Sequence, residues 1–401
     1  MSGFTLRARW VLPIDRPPIE GGYVTVVDGL ITAVGGGMPD DAVIEDIGDV
    51  VLMPGLVNAH THLEFSDLAA PLGQSGMSLP AWIRLVIGER KRGRRDAAAA
   101  IAAGIAESLA AGVTTIGEIS TAPADAYAVA APRPTLVAFQ ESIGFSGQRV
   151  DSAFADVERR FELSPRPAGF SPHAPYTVHP RLLERIVASA VVQRAPIAMH
   201  LAESREELQL LAEGGGDFAN LLDERSMWDP AAIPHGTRPL DYLQALAGAP
   251  RTLVIHGNYL AADEIALLGA QRARMSVVYC PRTHAFFQHD QYPLAALRAA
   301  DVRIALGTDS RASNPDLNLL AEVRAAAAQD PDVGGADFLR MATLDAAEAL
   351  GVDDDVGSLA VGKRADLIAL PCNSADPIEA IIGSDANVER IWLAGRPLAA
   401  L

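Results

Sequence analysis

The sequence is short of lysine and cysteine, has no long apolar run, and carries a deficit of positive charge. Each shortage excludes something. Two cysteines, Cys280 and Cys372, in 401 residues cannot build a disulfide framework, and a reducing compartment is the expectation. Lysine occurs only as Lys91 and Lys363, whereas arginine is plentiful. Lys and Arg together number 33 against 50 Asp and Glu, and the net charge of −17 argues against nucleic acid or an anionic membrane as partner. No apolar stretch approaches the roughly 20 residues that span a bilayer. The first fifteen residues show no basic segment leading into an apolar one, so no export signal is read there. A cytoplasmic protein acting on a small molecule is expected.

What is present is a hydrophobic content of 49% with 21% charged residues, the composition of a well-cored globular chain. Its length predicts one large domain with a smaller one appended. Residues 1–53 read as short β segments (5–12, 23–27, 30–34 and 50–53) broken by Gly and Pro turns, with Asp28-Gly29 as a hairpin turn. Gly35-Gly36-Gly37 lacks the following Gly-Lys-Ser/Thr of a phosphate loop and is read as a turn. From 55 to about 350, eight β-rich runs (55–62, 114–118, 135–141, 169–173, 196–200, 252–256, 276–280 and 303–309) alternate with helical stretches such as 96–111, 180–193 and 317–329. Such alternation implies parallel βαβ units, and eight of them imply an α/β fold of the closed (β/α)8 TIM-type barrel kind. After 350 the text returns to β, at 358–370 and 388–393. The expectation is a small discontinuous β-sandwich domain made of 1–54 and 355–401, around a catalytic barrel domain at 55–354.

In such barrels the chemistry sits at the C-terminal strand ends. Here those ends carry His60 and His62, Glu118, Glu141, His173, His200, His256, Cys280 and Asp309. His60 and His62 stand two apart in a strand and so project to one face. With His200 they supply three imidazoles, and Asp309 supplies a carboxylate. Three nitrogens and one oxygen around an open position suit a hydrolytic zinc or iron site. Glu203 lies just past His200, placed to carry protons without ligating, and His256 ends the sixth run. Glu118 and Glu141 read equally well as acceptors that orient other groups. Cys280 lacks a paired base and is not expected to be a nucleophile. The basic run at 90–95 reads as a solvated helix face.

Taken together, PGLVNAHTH (54–62), HLAES (200–204), VIHG (254–257) and GTDS (307–310) resemble the amidohydrolase superfamily, in family order and across nearly the whole chain. VGKRADLIAL (361–370) and IWLAGRPL (391–398) resemble that family's small β-sandwich. Members with two metals commonly bridge them with a carbamylated lysine at the fourth strand. The fourth run here has none, so the resemblance implies one divalent ion, zinc first and iron as the alternative. His200 followed by Glu203 is similar to the deaminase branch. The resemblance implies metal-assisted hydrolysis in which Asp309, Glu203 and His256 are catalytic. His62–Ser66, Leu79–Ile83 and Cys280–Phe287 are similar to enzymes that deaminate 6-amino-6-deoxyfutalosine in menaquinone biosynthesis. By that likeness His173, Glu64 and Trp82 would contact substrate. Arg149, Arg282 and Arg311 are candidates to hold its carboxylate, although Arg311 departs from the aliphatic residue usual after GTDS. A homodimer is implied by the family alone. Two alternatives stay open: hydrolysis of another small N-heterocycle, such as a triazine, a nucleobase or a cyclic amide, and a metal-binding protein without turnover.

Overall fold

Two consecutive strands, Val50–Pro54 and Leu56–Thr61, are separated by Gly55 alone yet belong to different sheets. The computed structural model describes residues 3–37, 43–91, 96–129 and 133–398. At Gly55 the chain passes from sheets built by its two ends into a barrel. A Cβ there would fall 2.2 Å from Thr114 Oγ1, so the close packing of this junction admits only glycine.

Eight parallel strands follow: β1 (Leu56–Thr61), β2 (Val113–Ser120), β3 (Thr135–Ser142), β4 (Ala168–Pro172), β5 (Ile197–Leu201), β6 (Thr252–His256), β7 (Met275–Tyr279) and β8 (Arg303–Leu306). Each pairs with its successor in sequence order. Nearly every strand residue is buried, as expected of a parallel sheet covered on both faces. All eight expected runs are strands. Helices fill the connections, beginning with α1 (Leu79–Lys91), α2 (Ala97–Ala110), α3 (Val150–Leu163), α4 (Pro180–Gln193), α5 (Arg205–Glu213) and α6 (Asp217–Glu224). Local chemistry sets their ends. Asp96 caps α2 by accepting the Ala99 N–H, and Pro180 opens α4 at a position that needs no donor.

Closure of the barrel between β1 and β8 rests on few bonds. The Asp309 N–H donates to the His60 carbonyl (3.1 Å) and the Thr61 hydroxyl to the Asp309 carbonyl (3.0 Å). The Asn58 amide bridges to Thr308, donating to its Oγ1 at 2.8 Å and accepting its N–H at 3.2 Å. Gly307 permits this approach, since a Cβ there would sit 2.9 Å from that of His60. The seam thereby brings the His-Thr-His motif against Asp309.

The chain ends interlock outside the barrel. Leu367–Pro371 runs antiparallel to Val50–Pro54 in a six-stranded sheet, and Gly3–Arg7 lies in a second, four-stranded sheet with Gly22–Val27 and Leu30–Gly36. Leu6, Val24, Leu52, Leu367 and Trp392 share one buried cluster between them. Two β expectations are corrected. The segment 5–12 is two strands, Gly3–Arg7 and Trp10–Val11, because the chain crosses from one sheet to the other at Ala8-Arg9. Of 358–370, only Leu367 onward is strand. The preceding stretch is a turn fixed by polar bonds, from Lys363 Nζ to the Val356 carbonyl and from Arg364 to Asp366. Among the described residues no helix is long and apolar enough to cross a membrane.

Candidate active site

The four candidate ligands meet at the barrel seam. His60 Nε2 lies 3.6 Å and His62 Nε2 3.7 Å from Asp309 Oδ1, and His62 Nε2 lies 3.4 Å from His200 Nε2. Two donors about 2.1 Å from one tetrahedral ion stand roughly 3.4 Å apart, so the spacing fits a common cation. Tautomers fit as well. His200 Nδ1 is 3.0 Å from the His173 carbonyl, which can only accept; the ring therefore carries its proton on Nδ1 and turns a lone pair on Nε2 towards His62. Both nitrogens of the fully buried His60 lack any hydrogen-bond partner, as does His62 Nδ1. Burial, followed by neighbouring histidines, holds His62 and His200 far below the usual imidazole range, so both are neutral and able to ligate. Unpartnered nitrogens converging on a carboxylate are a donor set for a divalent metal ion.

Asp309 is held by more than this cluster. The Ser313 hydroxyl donates to Oδ2 at 3.1 Å and is itself 3.0 Å from the Thr283 hydroxyl. Burial alone would raise the Asp309 carboxyl; the ring of His60 and the fields of His256 and His62 outweigh it, and the group stays ionised. Glu203 goes the other way. Its burial, reinforced by Asp309 and Glu207, pushes the carboxyl well above the ordinary range and keeps it protonated. His256 Nε2 lies 3.5 Å from Glu203 Oε1, and burial lowers this imidazole to about 3, leaving it neutral.

Ala202, His256 and Asp309, at or just beyond the ends of β5, β6 and β8, all adopt left-handed backbone, with φ of 53°, 69° and 56°. Non-glycine residues bear such strain only where the surroundings enforce it. Around Glu203 that enforcement is visible. The buried Glu207 carboxylate accepts the N–H groups of Ala202 (2.8 Å) and Glu203 (2.9 Å), and Asn258 Nδ2 donates to the Glu203 carbonyl at 2.9 Å. Sequence reasoning passed over Glu207, Asn258 and Ser313. Glu207 at i+4 from Glu203 was the one available signal, and it resembles any acidic first helical turn.

These groups form the inner end of a cavity of about 190 Å³, whose outer wall is α1, α6 and the segment after α6. His173 and Trp82 line it. His173 is anchored through Nδ1 to Thr177 Oγ1 (2.8 Å), and Trp82 Nε1 donates to the Ala312 carbonyl (3.1 Å). Glu64 does not line the cavity; it binds Arg90, which does, at 2.5 Å.

None of the three arginines proposed for a carboxylate lines this space. Arg149 is exposed on the short turn Gly147–Arg149, and Arg282 is committed to Glu322 (2.7 Å) and Asp316 (2.6 Å). Arg311 is likewise bound to Glu107 and the Leu68 carbonyl. The arginines that do line the cavity are Arg90 and Arg225. Arg90 is thus not part of a purely solvated face, and 92–95 of that run lie outside the described residues. Glu118 accepts the Leu63 N–H and the Tyr127 hydroxyl, fixing the chain just beyond His62. Cys280 is buried with its thiol pushed up, as expected of an unreactive cysteine.

An eight-stranded parallel barrel that gathers carboxyl and imidazole side chains at its C-terminal strand ends has the architecture of a TIM-barrel enzyme. The chain belongs to the amidohydrolase family, whose sequence model matches residues 51–398, and it is a hydrolase acting on carbon–nitrogen bonds. A 5-methylthioadenosine/S-adenosylhomocysteine deaminase of Moorella thermoacetica is 31% identical over 89% of this chain and 83% of its own. An aminodeoxyfutalosine deaminase of Nitratiruptor sp. is 29% identical over 82% of both chains. The crystal structure of an adenosine deaminase from Xanthomonas campestris with bound zinc superposes with a TM-score of 0.76 at 26% identity, covering 98% of this chain and 92% of that one.

Proposed function

We propose that the protein hydrolytically deaminates an adenine-type nucleoside, with water replacing the amino group at purine C6 to give the oxo ring and ammonia. The observation that carries this reading is a pair of buried carboxyl groups in opposite surroundings: Glu203, 3.5 Å from the neutral His256 and pushed up by burial, and Asp309, 3.6 and 3.7 Å from His60 and His62 and held ionised. Deamination needs one group to protonate the ring nitrogen beside the amino-bearing carbon and another to accept a proton from water. Glu203 fills the first role and Asp309 the second. His256, neutral and beside Glu203, orients the attacking water, and Asp309 or Glu203 returns a proton to the departing amine. His60, His62, His200 and Asp309 would hold one divalent ion, zinc by preference; when bound it supplies Lewis acidity that brings water's pKa towards neutrality. The three similar proteins above all carry deaminase names, which supports the reaction class. In this reading 55–354 form the catalytic domain, and 1–54 with 355–401 the smaller β domain.

Within the class we favour a nucleoside with a bulky 5′ substituent, 6-amino-6-deoxyfutalosine before 5-methylthioadenosine or S-adenosylhomocysteine. Support comes from the outer wall, where Leu79, Trp82, Ile83, Val86, Leu221 and Met227 offer an apolar surface beyond what a ribose would cover. The alternative of a small ring such as a triazine leaves that surface unfilled. The test is ammonia release by the zinc-loaded protein from these three nucleosides, adenosine and a triazine. Release from the substituted nucleosides with adenosine slower is expected. Turnover of the triazine alone would overturn the reading.

A further inference from the structure

Five charged side chains line the cavity, and four of them have a partner or a role. Glu203 and Asp309 belong to the chemistry. Glu141 lies at the end of β3, 4.0 Å from His173, and Arg90 is neutralised by Glu64. Arg225 is different. It follows α6 on the outer wall, and no carboxylate or carbonyl among the described residues accepts from its guanidinium. Its Nε is withdrawn from solvent with no hydrogen-bond partner. The adjacent Glu224 does not answer it, because that carboxylate is clasped by Arg84 of α1 at 2.7 and 3.0 Å. Arg225 is half-buried, and its Nε faces no acceptor within the protein, so the side chain keeps a hydrogen-bonding capacity that an anion entering the cavity can use.

We infer that Arg225 is the specificity-determining anchor for a carboxylate at the far end of the substrate's 5′ substituent. The inference rests on the deaminase reading above and sharpens its substrate class. Arg225 is flanked by Leu222 and Met227, so the part of the substituent preceding the carboxylate is apolar, as an aromatic ring would be. A terminal α-amino acid fits less well, because the acids lining the cavity, Glu141, Glu203 and Asp309, all stand at its inner end. A 5′-phosphate fits less well too, because its charge would sit next to the ribose with no apolar spacer to span the wall.

The test uses the full-length zinc-loaded protein. Its substrates are an adenine nucleoside carrying a 5′-linked benzoate, the same compound as its neutral carboxamide, S-adenosylhomocysteine and adenosine 5′-monophosphate. Wild-type protein is expected to prefer the benzoate over the carboxamide by about ten- to a hundredfold in kcat/KM, chiefly through KM, the worth of one charge-assisted hydrogen-bond pair. Arg225→Gln should erase that preference and Arg225→Lys restore part of it. A preference that survives Arg225→Gln, or a wild-type protein favouring the carboxamide, the amino-acid compound or the monophosphate, overturns the inference while leaving deamination standing. Should those variants fail to fold, Arg90→Gln decides: a benzoate preference that survives it leaves Arg225 as the anchor, and one that vanishes overturns the inference. Absence of ammonia from every nucleoside refutes the deaminase reading itself, and the inference falls with it.

Discussion

Glu207 touches no part of the cavity, yet it fixes Glu203 through two peptide N–H groups, and Asn258 fixes the same residue through its carbonyl. Removing the Glu207 carboxylate strands two buried donors, each costing about 1–3 kcal/mol. Glu207→Ala should therefore lower the unfolding free energy by a few kcal/mol in urea titration and reduce kcat at least about tenfold, as a misplaced catalytic group does. KM should change little. A fall in KM-dependent terms alone would show that Glu207 shapes binding instead of the acid's position. At this scale the sequence was uneven. The convergence of His60, His62, His200, Glu203, His256 and Asp309 was legible because each stands at or just beyond a strand end, and strand ends converge in a barrel whatever the loops do. Arg225 and Ser313 were not, because a helix-end arginine and a loop serine gain meaning only from what the fold places opposite them.

The elements that decide the site are the β1–β8 seam and the α1 wall. Gly55 sets where β1 begins, and any side chain there must displace Thr114. Gly55→Ala should destabilise by about 1–3 kcal/mol, the usual cost of overpacking, and should lower metal occupancy because His60 and His62 ride on the same strand. Denaturant titration with metal analysis checks both. On α1, Trp82→Ala removes part of the apolar wall. It is expected to raise KM for 5′-substituted nucleosides more than for adenosine in parallel steady-state assays; equal effects would place Trp82 in the core alone. The strands were readable in sequence because parallel, doubly covered strands are continuous apolar runs. The path 358–366 was not, since its apolar residues suggested a strand while bonds from Lys363 and Arg364 hold it as a turn.

For the molecule as a whole, the buried ionisable groups fix how stability varies with pH. Buried carboxyls with raised pKa, Glu118, Glu203 and Glu207 (the last up to about 7), contribute stability that is fully present below about pH 4.5 and is lost as pH rises through their folded-state values. Buried histidines with lowered pKa contribute the opposite. For His173 and His256, both brought down to about 3 chiefly by burial, stability is fully present above about pH 6.5 and is lost as pH falls. The two sets oppose one another between these limits. Chelator-treated protein should show its highest Tm at about pH 5 to 6, falling towards both pH 4 and pH 8. A Tm rising steadily from pH 5 to 8 would contradict the assignment of buried, protonated glutamates. Zinc should shift the optimum upward, because it needs its histidines neutral and its aspartate ionised.

In the proposed mechanism Glu203 carries protons and is not a ligand. The measurement is zinc content and ammonia release on the same sample of Glu203→Gln protein, with a 5′-substituted adenine nucleoside as substrate. Full zinc occupancy with turnover reduced by about a thousandfold or more is predicted, at the level expected when a general acid is lost and the rest of the site remains. Near-normal turnover, or loss of the metal along with activity, would contradict it.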